Sequence, residues 1–95
     1  MKLAISNLAW EPAEDDAAAD RMRACGYHGV ELALTKYFPQ PLSASAQQMA
    51  DLRRAWERRG FPIVALQALL FGQADLNLFG SPAQQDSFVE YLGGI

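Results

Sequence analysis

Ala46-Gln-Gln-Met-Ala-Asp-Leu-Arg-Arg-Ala-Trp-Glu-Arg-Arg-Gly60-Phe61-Pro-Ile-Val-Ala-Leu-Gln-Ala68 is a helix and a strand joined by a single residue. Ser45 and Gln48 make a capping-box pair, in which each side chain satisfies a backbone N–H at the helix start. Met49, Leu52 and Trp56 fall on one stripe of a 3.6-residue period. Gly60 then supplies the left-handed residue that ends a helix. Phe61 to Ala68 is almost continuously apolar, the pattern of a strand covered on both faces. Pro62 stands near its start, where a missing donor is tolerated. A helix passing through one glycine into a doubly covered strand is half of a parallel β/α repeat.

Working outward, the same arrangement recurs on both sides. Lys2 to Asn7 and Gly29 to Leu34 read as two further strands. A helix is predicted from about Glu14 to Cys25, with Glu14, Asp15 and Asp16 at the positive end of its dipole. Ala18, Met22 and Cys25 form its apolar face, and Gly26 follows as the terminating residue. Another helix starts after Ser81-Pro82, where Ser81 caps, Pro82 takes the first helical position and Gln84 completes a second capping box. Phe88, Tyr91 and Leu92 form its apolar face. The order is β-α-β-α-β-α at a spacing of about 30 residues, which predicts parallel strands joined by helical crossovers.

The loops are unequal. Helix-to-strand connections are short, Gly26 to His28 and Gly60 alone. Strand-to-helix connections are long, Leu8 to Ala13, Thr35 to Ala44 and Leu69 to Gly80. In parallel α/β folds the latter gather at the C-terminal edge of the sheet, where sites are built. They are rich in aromatics: Trp10, Tyr37, Phe38, Phe71 and Phe79.

Composition narrows the class. The chain has 95 residues, room for one domain spanning 1–95, and its 51% hydrophobic and 20% charged content fits a soluble fold. A net charge of −3 gives no footprint for nucleic acid or an anionic membrane. Arg53, Arg54, Arg58 and Arg59 alternate with Asp51 and Glu57 and read as a solvated helix face. The single cysteine, Cys25, excludes an internal disulfide and a zinc site of cysteines. No apolar run reaches membrane-spanning length, and the apolar start stops at Ser6-Asn7, unlike a signal peptide. The expected compartment is the cytoplasm. No Gly-x-Gly-x-x-Gly or Walker pattern cradles a phosphate.

Leu3-Ala4-Ile5-Ser6-Asn7-Leu8, Gly26-Tyr27-His28-Gly29-Val30-Glu31-Leu32 and Asp75-Leu76-Asn77-Leu78-Phe79-Gly80-Ser81 together resemble the N-terminal part of the sugar phosphate isomerase/epimerase family, the xylose-isomerase-like TIM barrels. The resemblance covers essentially the whole chain, through motifs of moderate specificity. It implies the first three units of a (β/α)8 barrel, incomplete in this chain, since a full barrel needs ~250 residues. It implies a parent that isomerises or epimerises a sugar or sugar phosphate by proton abstraction beside a carbonyl, with a divalent metal (Mn, Mg, Co or Zn) stabilising the enediolate. In that group the metal ligands usually come from later strands, so this chain is expected to hold no metal, to be inactive alone and to be a fragment. Ile95, following Gly93-Gly94, is read as a poor natural end for such a fold.

Candidate site residues follow from placement. Glu31 lies inside an apolar strand, where a carboxylate is costly unless paired or bound. It is the catalytic candidate, or a group that holds a sugar hydroxyl, against the alternative of a carboxylate satisfied by a neighbouring strand. Asn7, with Ser6, ends the first strand and either binds a substrate hydroxyl or satisfies local backbone. Gln67 ends the third strand. The endonuclease-IV-like branch is expected to place a histidine ligand near there, and an amide is a poor zinc ligand. Trp10, Tyr37 and Phe71 either stack on a sugar face or pack on the helix tops. His28 precedes the second strand, away from the expected site, and reads as a turn residue. Cys25 reads as a small core residue.

Two other readings compete: a small α/β binding module, or a fragment of an endonuclease-IV-like or dehydratase barrel. Under the isomerase-fragment and the binding-module readings alike, the unclosed sheet leaves an edge and an apolar face that favour self-association.

Overall fold

The helix opened by Ser45 is found to the residue. In the computed structural model, which describes Met1–Ile95, α2 spans Ala46–Arg59. The Ser45 hydroxyl accepts from the Gln48 N–H, and the Gln48 side chain accepts from the Ser45 N–H. Gly60 closes the helix at φ +94°, a conformation that is costly for any residue with a Cβ. The other helices are α1, Asp15–Ala24, and α3, Pro82–Gly94, the latter opened by the Ser81/Gln84 capping box.

The strands are shorter than their apolar runs: β1 Ala4–Ser6, β2 Gly29–Leu32 and β3 Ile63–Leu66. They form one parallel sheet in the order β1-β2-β3. Ser6 stands opposite Glu31, and Glu31 opposite Ala65. Val30 pairs with Ile63, so Val64 is the extra residue of a bulge in β3. Short 3-10 turns occupy Asn7–Ala9, Pro12–Glu14, Leu34–Lys36 and Pro41–Ser43 in the strand-to-helix loops.

The core lies between the sheet and α1 and α2. Ala19 and Met22 from α1, Val30 and Leu32 from β2, Trp56 from α2 and Phe61 are buried together. Val30, Leu32 and Trp56 are fully enclosed. Because side chains alternate along a strand, burying Val30 and Leu32 under the helices turns Glu31 to the opposite face. Two arginines clasp the helices from outside. Arg59 lies 4.8 Å above the Trp56 ring and reaches Asp16 at 2.8 Å, while Arg23 donates to the Arg59 carbonyl at 2.7 Å. The remaining α2 charges form exposed pairs, Arg53 with Glu57 and Arg54 with Asp51, which contribute little.

Three expectations are corrected. The apolar face of α1 is Ala19 and Met22, with Asp15 on the same stripe, and Cys25 is exposed. The helix stops at Ala24 and Gly26 turns the chain at φ +77°, which swings residue 25 off the stripe. The third strand is not covered on both faces: Val64, Ala65 and Leu66 are all exposed. Ala65 lies with Glu31 on the face that no helix covers, and on the other face α3 does not lie over β3. Of its expected apolar face only Tyr91 is buried, its hydroxyl donating to the Leu69 carbonyl at 2.7 Å, whereas Leu92 is exposed. An apolar groove of about 540 Å³ therefore stays open between α2 and β3, lined by Leu34, Met49, Leu52, Ile63 and Leu66. The molecule is correspondingly extended. Its radius of gyration is 15.0 Å, where a compact domain of this length has about 12 Å. Its accessible surface is 6164 Å², against about 5400 Å² for a compact monomer of this mass.

Candidate functional site at the C-terminal edge of the sheet

The strand ends carry two layers of polar side chains. The lower layer is on the helix side and is closed. Asn7, 1% exposed, accepts the Ala33 N–H on its Oδ1 at 2.7 Å, tying the end of β1 to the end of β2. The Lys36 ammonium donates to the carbonyls of Asn7, at 3.1 Å, and of Trp10, and lies 3.5 Å from Glu11. Buried Asp15 accepts the Trp10 indole N–H at 2.8 Å and the Tyr37 hydroxyl at 2.9 Å. Tyr37 in turn accepts the Trp56 indole N–H at 3.3 Å. The Trp10 and Trp56 rings pack tilted, 6.2 Å apart. Burial, the largest effect, pushes the Tyr37 phenol up to about 12; the Trp56 N–H opposes the rise and the Asp15 carboxylate adds to it. These groups satisfy one another and knit the loops after β1 and β2 to the core, as buried polar groups must.

The upper layer lies on the face that the helices leave uncovered. Ser6 and Glu31 are adjacent in register, and Gln67, two residues beyond Ala65, shares their side of the sheet. The Gln67 amide donates to the Ser6 hydroxyl oxygen, which also accepts the Leu8 N–H at 3.1 Å. Both lone pairs of that oxygen are thus in use, and its own O–H remains to donate. Glu31 is half-buried, and none of the five ion pairs in the chain involves it. One carboxylate beside one hydroxyl and one carboxamide can hydrogen-bond the hydroxyls of a polyol. It does not make an acid–base pair.

Of the sequence candidates, the structure brings Glu31 and Gln67 to one face, with Ser6 at the end of the neighbouring edge strand β1. Asn7 is placed beneath, its carbonyl occupied by backbone. Trp10 packs against the core from the helix side, as does Tyr37. Phe71 is exposed in the loop after β3, 63% accessible, and joins neither layer. His28 lies at the opposite edge, where its Nδ1 accepts the Leu3 N–H at 3.1 Å and its own N–H donates to the Leu3 carbonyl at 2.7 Å. Sequence reasoning missed Asp15 and Lys36. Asp15 was indistinguishable from its acidic neighbours at the helix start. Lys36, the only cation between Cys25 and Ala50, was a legible signal.

No three histidine, cysteine, aspartate or glutamate side chains gather as a metal-ligand set. No helix is long and apolar enough to cross a membrane. Comparison with protein-family models, with curated proteins and with solved structures finds no match to this chain.

Proposed function

We propose that this chain forms the first three β/α units of a (β/α)8 barrel of the sugar phosphate isomerase/epimerase kind and supplies one wall of its substrate pocket. The observation that carries the reading is the row of Ser6, Glu31 and Gln67 on the uncovered face, at the strand ends where parallel α/β folds place their sites. In a closed barrel that face is the interior. Glu31 would accept a hydrogen bond from a sugar hydroxyl, the Ser6 O–H would donate one, and Gln67 would hold Ser6 in place. Asn7 and Lys36 position this row from beneath by tying the strand ends together.

The residues present do not fit a divalent metal. Glu31 is the carboxylate that the open face carries, and one carboxylate without further ligands does not hold Mn, Mg, Co or Zn. The metal of the parent enzyme is assigned to other strands, and the chain alone is expected to turn nothing over.

Titrating the isotope-labelled chain with a panel of aldoses and ketoses tests the reading by amide chemical shift. Perturbations should centre on Ser6, Glu31 and Gln67 and vanish in Glu31→Gln. Shifts confined to other residues, or none at saturating sugar, would sink the pocket-wall role. Metal-dependent isomerisation by the purified chain would overturn the claim of inactivity.

A further inference from the structure

We infer that the His28 side chain is an acid-sensitive link between the first two strands. While neutral it holds the start of β1 against β2, and on protonation it lets that start go. The inference rests on the pairing of β1 with β2 and not on the sugar reading.

β1 is three residues long and begins at Ala4, opposite Gly29. Leu3 and His28, the residues just before the two strands, extend the pairing by two bonds. The His28 backbone N–H donates to the Leu3 carbonyl at 2.7 Å, and the Leu3 N–H donates to the imidazole Nδ1 at 3.1 Å. No backbone carbonyl takes the Leu3 N–H, so the ring is its partner. For so short a strand one such bond is a large share of what fixes its start. The far end is fixed separately, by Asn7 on Ala33 and by Gln67 on Ser6. Losing the link therefore frees the start of β1 without dismantling the sheet.

An imidazole nitrogen accepts a hydrogen bond only while it carries no proton, and the imidazolium donates from both nitrogens. The bond from Leu3 thus requires the neutral ring with its proton on Nε2. Protonating Nδ1 sets two N–H groups against each other and breaks the bond. Imidazole is the side chain that changes charge between pH 5 and 8, and His28, the one histidine of the chain, is exposed to water. Its surroundings offer no substitute bond. Of the residues that line the hollow beside it, Leu3, Ala4, Gly29, Pro62 and Val64 are uncharged and Lys2 is a cation. No carboxylate forms an ion pair with His28. The link is accordingly in place at the alkaline end of that range and lost at the acid end.

Hydrogen exchange of the full chain, followed by NMR, tests this. Dividing the rate of the Leu3 amide by its intrinsic rate at the same pH gives its opening constant. Between pH 8 and pH 5 that constant should rise about fivefold, as the loss of one neutral hydrogen bond implies. His28→Asn keeps an acceptor in the place of Nδ1 and does not titrate, so its opening constant should stay low at both pH values. His28→Ala should be open at both. The ring nitrogen signals of the unmodified chain add a reading that needs no variant: at pH 8 the proton should sit on Nε2. A Leu3 opening constant that does not change with pH would overturn the inference, as would a neutral ring protonated on Nδ1. An equal rise in His28→Asn would also overturn it, assigning the effect to the Met1 amine or to the carboxylates. No sugar enters the experiment, so its outcome is independent of the pocket-wall reading.

Discussion

Tyr37 concentrates the electrostatics of the fold in one hydroxyl. It donates to Asp15, accepts from Trp56 and sits half-buried between two helices and a loop. Its pKa rises from 10.0 to about 12 on folding. The unfolded chain therefore loses this proton first as pH rises, and the folded state binds more protons between the two values. By linkage the contribution of Tyr37 is complete below pH 10 and is lost as pH climbs toward 12. Spectrophotometric titration should show a tyrosine ionising near pH 12 together with unfolding, and Tyr37→Phe should remove that step. A Tyr37→Phe chain with the same most-alkaline transition would place the perturbed phenol at Tyr91, whose pKa burial also raises. Ala68 makes the opposite kind of contribution. It holds φ +51° just after β3, and a left-handed conformation costs an L-residue roughly 1–2 kcal/mol. Glycine removes that strain but adds entropy to the unfolded chain. Ala68→Gly should therefore stabilise by about 0.5–1 kcal/mol in denaturant unfolding, and destabilisation would show that the methyl group packs usefully.

Elements with their signals in sequence order were legible, and those defined by distant partners were not. The bounds of α2 follow from Ser45, Gln48 and Gly60, all local, and the structure reproduces them. The same holds for the start of α3 and for the order of strands and helices. The buried face of α1 was not legible, because a stripe through Cys25 and one through Ala19 both fit the periodicity, and only packing in the core separates them. The exposure of β3 was illegible in principle: an apolar run records what a strand can bury, not whether a neighbour covers it. The site divides along the same line. Glu31 stood out as a charge inside a strand, whereas the hydrogen bond from Gln67 to Ser6 spans most of the chain and left no local trace. The junction of β2 and β3 adds a constraint that periodicity also hides. A Cβ on Gly29 would lie 2.7 Å from Val64 Cγ1 and 3.2 Å from the Pro62 carbonyl oxygen. Gly29→Ala should cost about 1–3 kcal/mol, as overpacking does. Most of that cost should disappear in a Val64→Ala background, because the nearer obstacle is a side chain. An equal cost in both backgrounds would assign the clash to the Pro62 backbone.

At the scale of the whole molecule, burial is unevenly distributed. Val30, Leu32 and Trp56 are fully enclosed between the sheet and the first two helices. The segment from Leu69 to Gly80 contains no regular element, with Leu70, Phe71, Leu78 and Phe79 exposed. α3 is tied back by Tyr91, through its burial and its bond to Leu69, and at its end, where Gly94 and Ile95 lie beside Leu42 and Leu66. Local opening free energy follows buried apolar contact, so the chain should open in two tiers. Amides of β2 and of α2 around Trp56 should exchange with solvent only through global unfolding. Those of α3 and of the loop before it should exchange orders of magnitude faster, through an opening that leaves the sheet intact. Tyr91→Ala should accelerate α3 exchange further while leaving the β2 amides unchanged. A single protection level for β2, α2 and α3 in native-state hydrogen exchange would mean that α3 belongs to the same cooperative unit.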